Sequence, residues 1–461
     1  MADLVVVREP ARPERIVGTF GLLDRAAVVA RIAAAQEAGP GWAADAAVRA
    51  TALHGWAEAI ARRAPQLVGL LIREVGKPPR ESRAEVGRAV AIVRYYAQAP
   101  FDPIGEIFPS AGRDVELRVH RRPLGVVAAI CPWNFPVAIP AWKIAPALAY
   151  GNTVLFKPSS SALAIGHLLA EAAGEVLPPG VLELVPAAPD ALDPILDDPR
   201  IAAVTFTGSV PVGSAIVSRV ASRGAPVQAE MGGQNPSIVL DDADQLHAAT
   251  TIAKAAMEFA GQKCTATRRV IVSSAIAPAF VPLLVDAVRA VRVGMPDDET
   301  ADLGPLINEG ARTMVEEAIA DARSRGARLL SGGNRPDGEG WFIEPAILEV
   351  DDPSDRFTQE ETFGPAVAVL VADSDEQALA AANSTRFGLA GSVFSTDIER
   401  ARQLAERLDA GIQRVNAPTT GVEHYTPFGG DKASGYGPRE QGRAAREFYT
   451  RTRTMLIHGR G

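Results

Sequence analysis

The sequence predicts an α/β fold: two parallel-sheet α/β domains with a small antiparallel unit beside them. Three observations predict it. From Gly125 onward, short continuous apolar runs alternate with helical segments, as the strands of a parallel sheet buried on both faces do. The same grammar occurs twice, once as far as Met231 and again from Gly232 to about Arg446. Two other stretches, Asp114–Arg122 and Thr450–His458, alternate apolar and polar residues, as exposed antiparallel strands do.

Taken in order, the first hundred residues read as helix. Apolar residues recur at helical spacing over Asp24–Gln36, Trp42–Arg62, Pro65–Val75 and Glu81–Ala97. Pro65 suits a first turn, and Gly76-Lys77-Pro78-Pro79 breaks the pattern. Candidate strands follow at Val126–Ile130, Thr153–Phe156, Val181–Val185, Ala203–Phe206 and Val227–Ala229. The helices between them are Ala138–Ala149, Leu163–Val176 and Val212–Ala221. In the second region, helices are expected near Ala243–Ala260, Ala275–Val291, Gly310–Arg325 and Glu399–Leu408. Strands are expected near Val270–Val272, Val367–Val371 and Ser392–Phe394. The two alternating stretches are expected to pair with each other and, as exposed strands often do, with another subunit.

Composition bounds the function. The chain has 461 residues, a prior for roughly three domains. Hydrophobic residues make up 47% and charged residues 22%, so a large core is available. A net charge of −8 gives no reason to expect nucleic acid as a partner. No apolar run approaches the ~18 residues of a membrane span. The start, MADLVVVREP, lacks the pattern of a secretory signal, so a cytoplasmic protein is expected. Two cysteines, Cys131 and Cys264, leave no disulfide framework and no Cys-rich zinc site, and no metal is expected. Of 47 basic residues six are Lys: Lys77, Lys143, Lys157, Lys254, Lys263 and Lys432. In so Arg-rich a chain, each Lys marks a position where a compact charge on a thin stem is of use.

Five positions carry possible chemistry. Cys264 follows a Gly-Gln turn and stands beside Lys263; a neighbouring cation and turn N–H groups are expected to lower its pKa. Cys131 ends an apolar strand and reads as structural. Glu230 closes a strand before Gly232-Gly233, and an apolar cleft there would raise its pKa toward that of a general base. Asn134, in Pro132-Trp133-Asn134-Phe135-Pro136, has an amide able to donate to an oxyanion. Gly208-Ser209 links a strand to a helix and could present backbone N–H groups to a phosphate, although Gly-x-Gly-x-x-Gly is not present in context. Lys157 ends a strand before Pro158-Ser159-Ser160, where it could bind a ribose hydroxyl or a 2′-phosphate. Each of these has an ordinary structural reading when taken alone.

Their order and spacing together resemble the NAD(P)-dependent aldehyde dehydrogenase superfamily. The matching stretches include Pro123–Val127, Pro132–Pro136, Trp142-Lys143, Gly151–Thr153, Lys157–Ser159, Phe206–Ser209, Glu230–Gly233, Gly261–Cys264, Glu361–Pro365 and Pro427–Lys432. The resemblance implies a cofactor-binding domain over 1–104 and 124–231, a catalytic domain over 232–446, and oligomerisation strands over 105–123 and 447–461. It implies NADP or NAD as cofactor, a small aldehyde as substrate, and a homodimer or homotetramer. It also implies roles. Cys264 matches the nucleophile, which forms a thiohemiacetal and, after hydride transfer, a thioester. Asn134 and the Cys264 N–H match the oxyanion hole, and Glu230 matches the base for thioester hydrolysis. Lys143 and Glu440 match a proton relay behind Glu230. Toward the cofactor it implies Ile130, Pro132, Trp133, Lys157, Ser159 and Ser160 on one side. On the other it implies Gly208, Ser209, Gly213, Met231, Gly232, Glu361 and Phe363.

Departures from the family pattern refine these expectations. Ser160 stands where many NAD-preferring members carry a Glu that binds the adenosine ribose, so NADP is expected to be accepted. Gly437-Pro438-Arg439-Glu440 carries one residue more than the commoner pattern. The segments Gly421–Pro427, Tyr436–Gly442 and Gly261–Thr267 look like the subfamily that includes the α-ketoglutaric semialdehyde dehydrogenases. The substrate tunnel is expected to involve Phe135, Ile139, Trp142, Glu258, Lys263, Val422 and Phe428. Glu258 stands where succinic semialdehyde dehydrogenases place an Arg, and Lys263 is a candidate partner for a substrate carboxylate. A general aliphatic or aromatic aldehyde is the alternative substrate. A CoA-acylating dehydrogenase, which typically lacks the base, and a non-catalytic structural protein are the alternatives in other classes.

Overall fold

The computed structural model of the chain describes residues 3–112 and 114–459. The outermost residues of the first and last expected segments, and Arg113 in the strand region, lie outside that range.

The chain does not start with helix. Leu4–Glu9 and Arg12–Gly21 form an antiparallel hairpin. Its turn is tied to the second half of the chain by the Trp341 N–H, which donates to the Pro10 carbonyl at 3.0 Å. Helices then span Arg25–Ala44, Ala46–Arg62, Ala64–Val75 and Pro79–Tyr96. The break expected between Gln36 and Trp42 is absent, and Pro40 lies inside the first helix. The chain breaks at Asp45, whose carboxylate accepts from the Ala47 and Val48 N–H groups and caps the second helix.

Among the described residues, one sheet has the order Gly435–Tyr436, Val227–Glu230, Ile201–Thr207, Val126–Ile130, Thr153–Lys157, Leu182–Leu184. All its pairings are parallel except the first. The segment Gly435–Tyr436, far along the chain, thus completes this sheet. Successive residues of Val126–Ile130 face opposite sides, as strand geometry requires. Val127 and Ala129 pack into a core with Trp56, Leu71 and Val93 from the helices. Val126, Ala128 and Ile130 pack into a second core with Val28, Ile32 and Ile216. Burial on both faces is why this strand reads as an unbroken apolar run.

A second sheet runs Arg328–Ser331, Ala346–Glu349, Ala366–Ala372, Thr267–Ser273, Asn235–Val239, Ala390–Phe394, Ile412–Val415, parallel except at its Arg328–Ser331 edge. A third, antiparallel sheet pairs Gly105–Phe108 with Val115–Pro123, and the latter with Thr450–His458 over its full length. The expected pairing of the two alternating segments is observed.

Two features of this topology position the site. The first sheet starts at Val126–Ile130 and grows in one direction, then returns to add Ile201–Thr207 on the other side. The loops after these two strands therefore open at a switch point, where parallel sheets bind ligands. In addition, Glu230 ends a strand of the first sheet and Asn235 begins one of the second. So short a connection forces the carboxyl edge of one sheet against the amino edge of the other. Among the described residues no helix is long and apolar enough to cross a membrane.

Candidate active site

Cys264 lies on the amino side of the Thr267–Ser273 strand. The Gln245–Met257 helix ends just before it, and Phe259, Ala260 and Gly261 follow with φ of 51°, 50° and 67°. Two consecutive non-glycine residues in the left-handed region are costly and need support from the surroundings. Support is present. The Arg268 guanidinium, which is buried, donates to the Gly261 and Gly364 carbonyls. Asn235 Nδ2 donates to the carbonyls of Cys264 and Ala266, both at 2.8 Å. A Cβ on Gly261 would lie 2.2 Å from the Gly364 carbonyl oxygen, so only glycine fits.

Asn134 lies in the loop after Val126–Ile130. It is buried, and its Nδ2 donates to the Gln262 carbonyl at 2.9 Å, two residues before Cys264. One of its two amide protons is thereby committed to the Cys264 loop, leaving the other for a ligand.

Glu230 is buried at the end of its strand and accepts from the Gly430 N–H at 3.1 Å. Burial, and next the Glu440 carboxylate, push its pKa well above the ordinary carboxylate range. Lys143, the Gly430 N–H and Arg439 offset this only in part. Behind it, Lys143 Nζ is ion-paired with Glu440 and donates to Thr205 Oγ1 at 2.9 Å and the Phe206 carbonyl at 3.2 Å. Despite the extra residue in its loop, Glu440 reaches Lys143, because the Gly435–Tyr436 strand anchors that loop to the sheet.

The thiol departs from expectation. Lys263 does not activate Cys264: its ammonium is ion-paired with Glu258 at 2.8 Å and Glu81 at 3.1 Å. Burial raises the Cys264 thiol to about 12, the Glu361 and Glu230 carboxylates add to the rise, and the Cys264 and Thr265 N–H groups oppose it. Only the N–H part of the expectation acts in the predicted direction, and burial outweighs it. The same ion pairs remove Lys263 as a free partner for a substrate carboxylate. The Cys131 thiol is buried and also raised to about 12, as suits a structural cysteine.

A cavity of about 560 Å³ opens onto Cys264. Phe135, Ile139, Trp142, Glu258, Lys263, Val422 and Phe428, the expected tunnel residues, all line it. The Trp142 and Phe428 rings lie 5.8 Å apart. The helix Pro79–Tyr96 adds a wall that sequence reasoning missed, made by Arg80, Glu81, Glu85 and Arg88. Its signal was legible in principle: Glu81, Glu85 and Arg88 recur at i, i+4 and i+7, a charged stripe along one face of the helix. Arg88 is half-buried, its Nη1 donates to the Val422 carbonyl, and among the described residues it pairs with no carboxylate.

The residues expected to meet a cofactor gather along the carboxyl edge of the first sheet. Ile130, Pro132 and Trp133 leave one strand, and Lys157 ends the next, followed by Ser159 and the exposed Ser160. Gly208 and Ser209 precede the Val210–Ala221 helix, whose start has no side-chain cap. Gly213 packs so closely on Met231 that a Cβ would lie 2.5 Å from its sulfur. At Gly232 a Cβ would lie 1.9 Å from Glu361 Oε2, and the Glu361 carboxylate accepts from the Gly233 N–H at 3.1 Å. Phe363, at φ 45°, meets Trp133 edge-on with ring centroids 5.7 Å apart. Two polar groups here have no partner among the described residues: the largely buried Lys157 ammonium, whose pKa burial lowers, and the buried Thr207 Oγ1. A free cation, an uncapped helix start and an orphaned hydroxyl along one edge fit a dinucleotide with its ribose and pyrophosphate groups.

The fold and this edge define a dinucleotide-dependent oxidoreductase. The chain belongs to the aldehyde dehydrogenase family, whose model matches residues 2–455, and it is an NAD(P)-dependent enzyme of that family. It is 39% identical over 464 residues to the α-ketoglutaric semialdehyde dehydrogenase of Bacillus subtilis, covering 99% of this chain and 95% of the relative. Among solved structures it is similar to betaine aldehyde dehydrogenase from Staphylococcus aureus in complex with NAD+. There the TM-score is 0.96 at 31% identity, over 99% of this chain and 92% of that one. An NADP-dependent enzyme from E. coli matches with a TM-score of 0.96 and 33% identity, over 99% and 95% of the two chains.

Proposed function

We propose that the enzyme oxidises a semialdehyde carrying an acidic group, such as α-ketoglutaric semialdehyde, to the carboxylic acid. The observation that carries this is Arg88, a half-buried cation in the cavity of Cys264 with no carboxylate partner among the described residues. An unpaired cation in a largely apolar cavity favours an anionic ligand. The Bacillus subtilis relative, named for α-ketoglutaric semialdehyde, supports the same reading.

In this reading the Cys264 thiol loses its proton to solvent as Sγ adds to the aldehyde carbon, and the oxygen becomes an oxyanion facing the free Asn134 amide proton and the Cys264 N–H. Lys157 and Glu361 would hold the two riboses of the cofactor, and Ser209 and the helix start behind it would hold the pyrophosphate. When bound, the dinucleotide supplies the hydride acceptor. The remaining thioester is hydrolysed by a water whose proton goes to Glu230. The raised pKa of Glu230 makes it a capable acceptor, and Lys143 with Glu440 carries the proton onward. The presence of Glu230 favours water over CoA as the group that resolves the thioester. Ser160, carrying no charge beside Lys157, leaves room for a 2′-phosphate and supports use of NADP as well as NAD. The outward faces of the third sheet, with Ile107 at 73% and Leu456 at 56% exposure, support a homodimer or homotetramer.

The test is Arg88→Gln assayed with an acidic semialdehyde and a neutral aldehyde of equal length. The expected result is a KM for the acidic substrate raised roughly tenfold or more, with the neutral one unchanged. Equal effects on both, or a native preference for the neutral aldehyde, contradict the reading.

A further inference from the structure

Lys77 is fully buried, yet neither the fold nor the proposed chemistry has so far used it. Its Nζ donates to the Asn134 carbonyl at 2.8 Å and is ion-paired with Glu85. It also lies 3.9 Å from the centre of the Phe135 ring and 4.2 Å from that of Phe259. Phe135 follows Asn134, and Phe259 begins the left-handed turn that leads to Cys264. One ammonium therefore touches both the loop of Asn134 and the loop of Cys264.

Glu85 extends the arrangement. Its Oε1 accepts from the Val137 and Ala138 N–H groups at 2.9 and 3.1 Å, at the start of the Ala138–Ala149 helix, which has no side-chain cap of its own. The segment from Asn134 to Ala138 is thus gripped at one end by Lys77 and at the other by Glu85. The Asn134 side chain is tied separately to the Gln262 carbonyl. With carbonyl and amide both anchored, the direction of the remaining amide proton is fixed. Lys77 itself is held by Ser82, whose hydroxyl donates to its carbonyl at 3.0 Å.

A buried ion pair is a poor way to gain stability, since desolvation cancels most of the attraction and an apolar pair of similar volume often serves better. Its yield here is geometric. We propose that Lys77 and Glu85 are positioning residues for the oxyanion site, holding the Asn134 loop in register with the Cys264 loop. This rests on the reading of Asn134 as an oxyanion donor.

The test compares two reactions of Cys264 in the full-length enzyme without cofactor. Acylation by p-nitrophenyl acetate passes through an oxyanion; alkylation by iodoacetamide does not. The variants are Lys77→Met, the charge-neutral pair Lys77→Met with Glu85→Gln, Asn134→Ala, and Lys77→Met combined with Asn134→Ala. The expected result is acylation slowed roughly tenfold or more by Lys77→Met while alkylation stays within about twofold. In the Asn134→Ala background the Lys77 change is expected to add nothing. If Lys77→Met does not fold, the charge-neutral pair, which leaves no buried charge unpaired, gives the same comparison. Unchanged acylation in a Lys77 variant, or an effect that adds to that of Asn134→Ala, overturns the proposal while leaving the role of Asn134 intact. Unchanged acylation in Asn134→Ala alone overturns the oxyanion reading, and this inference with it.

Discussion

Lys263 turns its ammonium away from Cys264, its neighbour in the chain, and places it between Glu258 and Glu81. Cys264 is therefore not activated by the cation that the sequence sets beside it. Its thiol, raised to about 12 by burial and by the carboxylates Glu361 and Glu230, stays protonated at neutral pH in the free enzyme. The expected outcome is a Cys264 alkylation rate that climbs about tenfold per pH unit up to roughly pH 9 without a plateau. Lys263→Met is expected to leave that profile within about half a unit. A profile that levels off near neutrality, or one displaced by a full unit in the variant, contradicts this.

Glu230→Gln separates acylation from hydrolysis. A fast burst of one NAD(P)H per active site is expected to survive, with steady-state turnover about a hundredfold or more slower. Because the Glu230 pKa is raised, it accepts a proton more readily as pH rises through that value. Native turnover should therefore increase with pH, and that increase should vanish in the variant. Unaltered steady-state turnover argues against the assignment.

Ser160→Glu tests the cofactor edge. A carboxylate beside the unpaired Lys157 ammonium is expected to cut kcat/KM for NADP roughly tenfold and to spare NAD. Strict NAD dependence of the native enzyme would remove the basis of this prediction.

Glu74 ties pH to stability. It is buried, accepts from the Ala164 and Ile165 N–H groups at the start of the Leu163–Gly174 helix, and burial raises it from 4.5 to about 7. The folded state then holds a proton that the unfolded state releases. Stability from this group is full below about 4.5 and falls as pH rises toward 7, by up to about 3 kcal/mol. Urea unfolding at intervals across that window is expected to show a shallower slope in Glu74→Gln. An identical slope in both proteins refutes the coupling.

Much of this was legible in the chain before its structure. Val126–Ile130, Ala138–Ala149 and Thr450–His458 have the bounds their patterns predict, since an unbroken apolar strand, a long helix and a sustained apolar–polar alternation each carry a strong local signal. The hairpin at Leu4–Gly21 was missed: the run Val5–Val7 favours a strand, but its partner Arg12–Gly21 carries no strict apolar–polar alternation. Cys264 and Glu230 could be picked out because one follows a Gly-Gln turn and the other closes a strand, and Asn134 because it stands between aromatic residues and prolines. Lys77 could not, because its partners lie 8 and 57 residues away and only the folded chain brings them together. Lys432 misled in the other direction. It sits in a motif segment, yet its ammonium is spent on the Asn383 carbonyl and Asp409.

The central claim is that the aldehyde is oxidised while bound covalently to Cys264 and is released by Glu230. Intact-mass and peptide mass spectrometry of Glu230→Gln, mixed with aldehyde and NAD(P), tests it most directly. The expected result is one acyl group per chain, located on the Cys264 peptide, formed together with one NAD(P)H, and absent in Cys264→Ser. Turnover persisting in Cys264→Ser, or an acyl group found on any other residue, would contradict it.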